Sequence, residues 1–368
     1  MAKRKTKSVD TFLLIIVISL VVIGFLIFLS ASFGLLAQDN SPELSKILLN
    51  HIFFGFVLGG SGAYIMSKIS YVHLRTYSFY IYISALILTL AVFIPGLGFS
   101  HGGATRWLSI GPLSVQPAEF LKIAYIIYLS TWLYAVKDGV KTFKLGLLPF
   151  AVVSGLVSII LLLQPDTDTL VAILATGTVM YFVAGASMKH IGAIILTGII
   201  GLSILAATRP YILDRFQTFL DPSSDPLNSG YQIQQSLIAI GSGGIFGKGF
   251  GHSVQKFNFL PEPTSDSIFA VAAEEFGLVG SVIIISLYLM LIIRIYTIAS
   301  RQNERYAKFL SMGIGTLIVF QSFINIAAML GLIPLSGLPL LFISHGGTAL
   351  FFTLLSVGIV LNISRKHS

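Results

Sequence analysis

The sequence predicts an all-α, polytopic membrane protein of about ten transmembrane helices, and three observations lead to this prediction. Of its 368 residues, 55% are hydrophobic and only 10% are charged, whereas soluble domains carry roughly 25% charged residues. The mean hydropathy is +0.89. Apolar segments of about 20 residues, enough to cross a hydrocarbon core of about 30 Å, recur along the whole chain. We therefore expect residues 1–368 to form a single transmembrane domain.

The predicted helices are separated by polar segments and by proline or glycine. They lie near 11–37, 47–69, 76–97, 117–136, 146–164, 169–187, 190–209, 267–295, 307–332 and 348–364. The first helix follows a basic tail at 1–10 and is longer than the apolar core of a signal peptide, so we expect it to remain as the first span. Ten spans would place both termini on one side of the membrane.

The distribution of charge orients these helices. Sixteen of the 23 basic residues fall in segments that share a side with the N-terminus, which is the positive-inside pattern and predicts that both termini are cytoplasmic. Twelve of the 15 acidic residues fall on the other side or at the outer ends of helices, a bias that insertion rules do not explain. The net charge of +8 follows from cytoplasmic Lys and Arg and does not indicate a nucleic-acid partner. The absence of cysteine excludes disulfides, thiolate nucleophiles and cysteine-ligated metals.

The longest predicted non-helical stretch is a large extracytoplasmic loop at 210–266, between helices seven and eight. Loops of this length are usually functional. Its apolar section 231–240 is predicted to form a short amphipathic helix at the membrane surface. The glycine-rich run 241–251 does not match a P-loop, because Lys248 is followed by Gly249. We expect a close-packed re-entrant turn, whose backbone N–H groups could also hold an anion.

Three carboxylates near the start of the eighth helix are candidates for chemistry. Asp266 follows a Pro-Glu-Pro-Thr-Ser segment and has two open readings, a helix N-cap or a general base at the mouth of an outer cavity. Glu274 lies within roughly 80° of Asp266 on a helical wheel, so it could line one cavity with Asp266, or it could form a structural ion pair, and the sequence leaves both open. Glu275 is expected to form a structural ion pair, since an acid within a span needs a partner.

A second group of polar residues surrounds the entry to the fourth helix. Glu119 and Lys122 are three residues apart and can pair on one face, either as a structural salt bridge or as the lining of a site for a phosphate-bearing substrate. The outer basic residues are the plausible pyrophosphate ligands. They are Arg106, Lys122, Arg209, Arg215, Lys248 and Lys256.

Three other polar features have structural interpretations. Residues 164–169 are expected to form a simple turn, with Thr169 capping helix six. Asn325 needs a partner within the bundle. His345 is more typical of a hydrogen-bonded structural residue than of a metal ligand, and no metal-binding motif is present in the sequence.

Several uncommon strings occur in order across nearly the whole chain. They are GGATRWLSIGPLSVQPAEFLK at 102–122, QPDTDT at 164–169, YQIQQSLIAIGSGGIFGKGFGHSVQKFNFLPEPTSDSIFAVAAEEFG at 231–277 and INIAAMLGLIPLSGLPLLFISHGGTAL at 324–350. Together they resemble the SEDS family of bacterial membrane proteins, which includes FtsW, RodA and SpoVE. The SVQKF and FLPEP strings look more like FtsW or SpoVE than RodA, and the resemblance is strongest to FtsW.

The resemblance implies a peptidoglycan glycosyltransferase that polymerises lipid II on the outer leaflet of the bacterial cytoplasmic membrane. It also implies a class B penicillin-binding protein as partner, together with other membrane proteins of the division or elongation machinery. The family's essential aspartate falls on Asp266, its glutamate and lysine on Glu119 and Lys122, and its arginine on Arg106. One departure from the family pattern is Asp168, which replaces a glycine.

We expect inverting glycosyl transfer, in which Asp266 accepts the proton of the acceptor's 4-hydroxyl as that oxygen attacks the donor's anomeric carbon. The leaving pyrophosphate would be neutralised by basic residues, with a divalent cation such as Mg²⁺ as a possible helper and Glu119 ordering Lys122. The candidates for neutralisation are Lys122, Arg106, Arg215, Lys248 and Lys256. The alternatives are a lipid II flippase or other secondary transporter, and a non-catalytic scaffold of the division complex. Polar residues gathered at the outer surface rather than at the midplane favour chemistry over transport.

Overall fold

The computed structural model describes residues 8–36, 47–101, 104–110, 113–257 and 259–365, so most of the predicted basic tail lies outside the described residues. Within these ranges the chain forms twelve α-helices and three short strands. The helices are α1 (Thr11–Leu36), α2 (Ile47–Lys68, π-helical at His51–Leu58), α3 (Tyr71–Leu90), α4 (Pro117–Val136), α5 (Leu148–Leu163), α6 (Thr167–Val183), α7 (Met188–Thr208), α8 (Pro210–Leu220), α9 (Ser229–Ser242), α10 (Ile268–Ser300), α11 (Arg305–Met329) and α12 (Gly347–Ser364). The strands are β1 (Gly98–His101), β2 (Ala104–Ile110) and β3 (Leu113–Val115).

The candidate membrane spans of the described residues are nine long apolar helices, to which the shorter apolar helix α6 is added. Nine helical segments in the described residues are long and apolar enough to cross a membrane. The tenth, α6, has 17 residues and is therefore about 25 Å long, at the lower end of the spanning range. The predicted all-α, polytopic class with about ten spans is confirmed.

The two ends of the described chain meet at one end of the bundle. The backbone N–H of Asp10 donates to Ser364 Oγ at 3.1 Å, and Arg294 of α10 makes a bidentate pair with the Asp10 carboxylate. A chain that crosses the membrane an even number of times has both of its ends on the same side, as these contacts require. The opposite end of the bundle carries Asp266 and is called the Asp266 end below.

The centre of the bundle consists of α4, α11 and α12, whose side chains are buried around most of each helix. In contrast, α7 lies at the periphery, and Ile191 is its one buried residue. Apolar side chains that are exposed on α7 and on other outer helices form the surface that lipid would cover.

Two stretches outside the predicted spans contain more regular structure than predicted. The strands β1 to β3 form an antiparallel sheet between α3 and α4, because the chain leaves α3 at Leu90 rather than continuing to 97. The outer loop 210–266 is partly helical, since it contains α8 and α9. The helix predicted at 231–240 is confirmed as α9, while α8 was not predicted.

The glycine-rich run forms the predicted close-packed turn against α10. The N–H groups of Lys248 and Gly249 donate to the carbonyls of Glu274 and Glu275, at 3.0 and 2.9 Å. These carbonyls are available because α10 is interrupted at Gly277, where φ is 65°. Glycine permits this left-handed conformation and the close approach of the two backbones.

Candidate active site

Asp266 lies in the turn that leads directly into α10. Ser267, rather than Asp266, occupies the N-cap position of that helix. The Asp266 carboxylate accepts a hydrogen bond from Ser265 Oγ at 3.1 Å. Glu262 begins the turn in the left-handed conformation, with φ at 49°, and its carbonyl accepts the N–H groups of Ser265 and Ser267. The geometry therefore disfavours the N-cap reading of Asp266.

The backbone around Asp266 is fixed by buried polar groups. Asn325 of α11 donates its amide to the carbonyls of Asp266 and Leu338, at 2.8 and 2.9 Å, which supplies the partner predicted for Asn325. Ser344 Oγ donates to the Ser265 carbonyl at 2.7 Å. Because each donor comes from the bundle core or from the loop before α12, the position of Asp266 depends on tertiary packing as well as on its own turn.

His345 also belongs to this support. Its backbone N–H donates to the carbonyl of Thr264 at 2.6 Å. Burial lowers the pKa of its imidazole to about 4, so the ring is neutral at physiological pH. The ring atom Nε2 is buried and has no hydrogen-bond partner among the described residues, so the hydrogen-bonded side chain expected for His345 is not seen, and its support of the site comes from its backbone.

A second carboxylate, Asp168, lies beside Asp266. Arg215 Nη1 is 3.1 and 2.9 Å from the two Asp168 oxygens, and the N–H of Gly337 donates to Asp168 Oδ2 at 2.9 Å. A Cβ atom placed on Gly337 would be 3.4 Å from Asp168 Oδ2 and 3.8 Å from Asp266 Oδ2. Glycine thus brings the chain close to both carboxylates.

The electrostatic environment makes Asp266 a stronger base than an ordinary aspartate. Burial raises the pKa of Asp266 to about 6, and the charge of Glu262 adds to the rise. The Ser265 hydroxyl lowers the pKa, Asp168 raises it and Arg215 lowers it. The carboxyl is therefore mostly ionised at pH 7 while it keeps substantial basicity, a combination that suits a general base.

Arg106 connects the sheet to the turn before α6. Its Nε donates to the Gln164 carbonyl at 3.2 Å, its Nη2 donates to the Pro165 carbonyl, and its Nη1 lies 3.8 Å from Asp166 Oδ1. Asp166 is buried, and this burial raises the pKa of its carboxyl. The Asp166 side chain accepts the N–H of Thr169, so the prediction that Thr169 caps the helix was wrong: Asp166 carries the acceptor at the N-cap position.

Glu119 and Lys122 form the predicted pair on α4, with Nζ and Oε1 2.7 Å apart. Both side chains are buried, at 4% and 2% exposure. They line a small cavity of about 10 Å³ together with Gln321 of α11 and Thr353 of α12, room for about one water molecule. The pair lies inside the bundle, where its contacts are with other helices.

The remaining predicted residues gather around the glycine-rich turn. Lys248 Nζ is 2.6 Å from Glu274 Oε1, and Glu274 also accepts from Ser253 Oγ at 2.5 Å. Lys256 and Glu275 are 2.8 Å apart and both fully buried, so the predicted structural ion pair of Glu275 is present. These contacts fix the turn against α10.

The structure thus brings together Asp266 and Arg215 among the predicted site residues, and places Arg106 at the neighbouring turn. It separates Glu119 and Lys122, inside the bundle, from Lys248, Lys256 and Glu274, around the glycine-rich turn. The substrate-binding roles given to these residues stay predictions. Sequence reasoning did not assign a role to Asp168 or Gly337, and the one available signal was the departure from glycine at 168.

The fold and the site define a polytopic membrane protein with a carboxylate–guanidinium cluster at one end of its helix bundle. The model of the FtsW/RodA/SpoVE family, described as a cell cycle protein, matches residues 10–368. The chain belongs to this family.

Similar proteins and structures agree with this membership. Stage V sporulation protein E of Bacillus subtilis is 38% identical over 99% of both chains. A probable peptidoglycan glycosyltransferase FtsW of Geobacter sulfurreducens is 36% identical over 99% of this chain and 97% of its own.

Two solved structures have the same fold. A chain from a study of how a peptidoglycan synthase complex coordinates polymerization and crosslinking matches with a TM-score of 0.77 and 27% identity, over 97% of this chain and 98% of its own. The rod shape determining protein RodA of Thermus thermophilus matches with a TM-score of 0.69 and 26% identity, over 97% of both chains.

Proposed function

We propose that this chain is a peptidoglycan glycosyltransferase that polymerises lipid II into glycan strands, with Asp266 as the general base. Family membership and the relatives named probable peptidoglycan glycosyltransferase FtsW support the activity. The observation that supports the base is the environment of Asp266. Asn325 holds the backbone carbonyl of this residue, and the pKa of its carboxyl is raised to about 6.

The reaction follows from these properties. Ionised Asp266 accepts the proton of the acceptor sugar's 4-hydroxyl while that oxygen forms a bond to the donor's anomeric carbon. The bond from this carbon to the undecaprenyl pyrophosphate breaks, and the pyrophosphate leaves with the bonding electrons. Because attack and departure occur on opposite faces, the anomeric configuration inverts.

The leaving pyrophosphate requires positive charge nearby. Arg215 suits this task because only its Nη1 contacts Asp168, so its other two nitrogens have no bond to that carboxylate. Arg106 is the second candidate, with its side chain 29% exposed.

The described residues contain no group of three or more candidate metal ligands, so they do not fit a cation held by the protein alone. A divalent cation such as Mg²⁺ stays a prediction for the substrate complex. One or two carboxylates and substrate phosphates commonly share such an ion.

The proposal places the enzyme in the bacterial cytoplasmic membrane, with the Asp266 end on the extracytoplasmic side. The positive-inside pattern supports this orientation. A class B penicillin-binding protein is the proposed partner, because a similar chain comes from a complex that couples polymerization and crosslinking.

The decisive experiment compares the wild type with Asp266→Asn. Each purified protein, with its penicillin-binding partner, receives labelled lipid II, and the glycan products are resolved on a gel. We expect the loss of the base to reduce polymer formation by about 100-fold or more. Asp214→Asn is the matched control, because Asp214 is exposed on the outer helix α8, and its activity should equal that of the wild type. Equal polymer from Asp266→Asn and the wild type would refute the role of Asp266.

The same preparations test the two alternatives. In proteoliposomes, a flippase would move labelled lipid II across the bilayer without forming polymer. A scaffold would form no polymer and move no lipid, and Asp266→Asn would behave like the wild type. The cluster at the Asp266 end, rather than at the bilayer midplane, favours the transferase over a transporter.

A further inference from the structure

Asp168 joins three segments that are distant in the chain. It belongs to the first turn of α6, it binds Arg215 on α8, and it accepts the N–H of Gly337 in the loop before α12. Arg215 is 47 positions away and Gly337 is 169 positions away. The carboxylate therefore fixes the relative position of a peripheral helix and a loop that both border Asp266.

The arrangement is more specific than a surface salt bridge. An exposed ion pair is worth about 0–1 kcal/mol and holds its partners loosely. Here the Asp168 side chain is only 19% exposed, and three hydrogen bonds converge on its two oxygens. Backbone and guanidinium donors together determine the orientation of the carboxylate, and the carboxylate in turn orients the guanidinium.

The same carboxylate is part of the charge distribution around Asp266. The groups that act on Asp266 are Glu262, Asp168 and Arg215, together with the Ser265 hydroxyl. Asp168 and Arg215 act in opposite directions, and their pairing makes their effects partly cancel. Removing either partner should shift the protonation of Asp266, with a sign that depends on which partner is lost.

We infer that Asp168 is a positioning residue of this site: it holds Arg215 and the backbone at Gly337 beside Asp266, so that Arg215 can meet the leaving pyrophosphate. This inference rests on the proposed function. Asp168 itself acts through Arg215 and is assigned no contact with substrate.

The test is the dependence of polymerisation on pH in the wild type, Asp168→Asn and Arg215→Gln. Activity should fall as the pH drops through the pKa of Asp266, which gives an acid limb. Asp168→Asn removes a negative charge and releases Arg215 toward Asp266, so the midpoint of the acid limb should move down by roughly one pH unit. Arg215→Gln removes a positive charge and leaves Asp168 unpaired, so the midpoint should move up by a similar amount.

Rates at pH 7.5 give a second readout. Both variants should lose roughly tenfold in polymerisation rate if Arg215 and Asp168 act as one unit, and the double variant should lose little more than either single variant. Asp214→Asn, which removes a neighbouring charge on α8, should leave the midpoint and the rate unchanged. Thermal unfolding of each variant shows whether a loss of rate comes from loss of folded protein.

Midpoints that move in the same direction, or that do not move in either variant, would overturn the inference. If only one variant folds, the direction in which its acid-limb midpoint moves still tests the inference: down for Asp168→Asn and up for Arg215→Gln supports it, and the opposite direction overturns it. This failure differs from failure of the proposed function: activity in Asp266→Asn would refute the base, whereas an inactive Asp266→Asn with unshifted midpoints would refute only the role of Asp168.

Discussion

Two carboxylates near the start of α10 have opposite environments. Glu275 is fully buried and paired, since Lys256 Nζ lies at 2.8 Å and Ser30 Oγ donates at 2.5 Å. Asp266 is partly buried, receives a hydrogen bond from the neighbouring Ser265 hydroxyl, and is close to two other acids, Glu262 and Asp168. The charge of Glu275 is therefore balanced by Lys256, whereas the surroundings of Asp266 raise its pKa and leave it basic.

The difference shows which acidic residues hold the fold together and which are available for chemistry. Removing one partner of a buried ion pair is costly, because the other charge remains in a medium of low dielectric constant. An acid that is held in place without a cationic partner of its own retains a raised pKa at the expense of stability, as functional sites commonly do. Substitutions in the two regions should therefore change stability in opposite ways.

The largest expected effect comes from Lys256→Met. Methionine keeps most of the volume but leaves Glu275 buried without its cation, which should lower the free energy of unfolding by about 3–5 kcal/mol. Unfolding in detergent micelles measures this loss. The double variant Lys256→Met/Glu275→Gln should recover a large part of it, because no buried charge remains.

Lys248→Met is the matched control for this prediction. Lys248 is 34% exposed, and its partner Glu274 keeps donors from Ser253 Oγ and from the backbone of Val254. The expected loss is therefore smaller than that of Lys256→Met, because these donors still satisfy the buried Glu274 carboxylate. Equal losses in Lys256→Met and Lys248→Met would contradict the distinction between a pair that is buried at both ends and a pair whose cation is partly exposed.

The next effect concerns the glycine-rich turn, through Gly247→Ala and Gly251→Ala. Both glycines have left-handed backbones, with φ at 79° and 81°, so each alanine should cost about 1–2 kcal/mol in conformation. At Gly247 a Cβ would also overlap the Glu275 carbonyl, whereas none of the described atoms lies within 4 Å of one at Gly251. Gly247→Ala should therefore lose about 1–3 kcal/mol more. Similar unfolding curves for the two variants would show that the turn does not pack closely against α10.

The bundle and the location of Asp266 could be predicted from the sequence because both depend on local information. Apolar length determines how many segments can cross a membrane, and the prediction of about ten spans agrees with the nine long apolar helices and the shorter α6 of the described residues. Asp266 was placed at the start of a helix because an apolar run follows it. The ion pair of Glu119 and Lys122 follows from their spacing of three residues on a helix.

The surroundings of Asp266 could not be predicted in the same way. Asp168 meets Gly337 across 169 positions, and Asn325 meets the Asp266 carbonyl across 59, so only the tertiary fold brings them together. The short sheet was missed because its strands lie between two apolar segments and have few residues to show an alternating pattern. Helix α8 was missed because it is 11 residues long and begins in a loop that was predicted to be irregular.

Asn325→Ala and Asn362→Ala should have a smaller effect on stability. Comparing them distinguishes a hydrogen bond that positions Asp266 from one that only stabilises the fold. Asn325 serves the carbonyls of Asp266 and Leu338. Asn362, at the opposite end of the bundle, donates to Ser67 O and accepts from the N–H of Tyr71. Each alanine removes two hydrogen bonds between a side-chain amide and the backbone, so both should cost about 1–3 kcal/mol.

Activity should separate these two variants. Asn325→Ala should also lower polymerisation per folded molecule, because Asp266 loses its anchor, whereas Asn362→Ala should not. Labelled lipid II polymerisation, normalised to the folded fraction, measures this difference. If Asn362→Ala reduces activity as much as Asn325→Ala does, general loosening of the bundle rather than the anchor explains the result.

The smallest expected effect is a gain of stability in Asp266→Asn. The pKa of Asp266 in the folded protein is about 6, above its ordinary value of 3.8, so the ionised carboxyl destabilises the fold at pH 7.5 and costs nothing below pH 3.8. Asparagine removes this cost, and the variant should be more stable than the wild type at pH 7.5 by about 1 kcal/mol after solvent screening. The advantage should shrink as the pH falls from 6 toward 4, which thermal unfolding at several pH values would show. Glu275→Gln makes the same chemical change in the other region and should destabilise the protein at pH 7.5, because it leaves Lys256 unpaired. If both amides shift stability in the same direction, the two carboxylates do not differ in the way that their surroundings indicate.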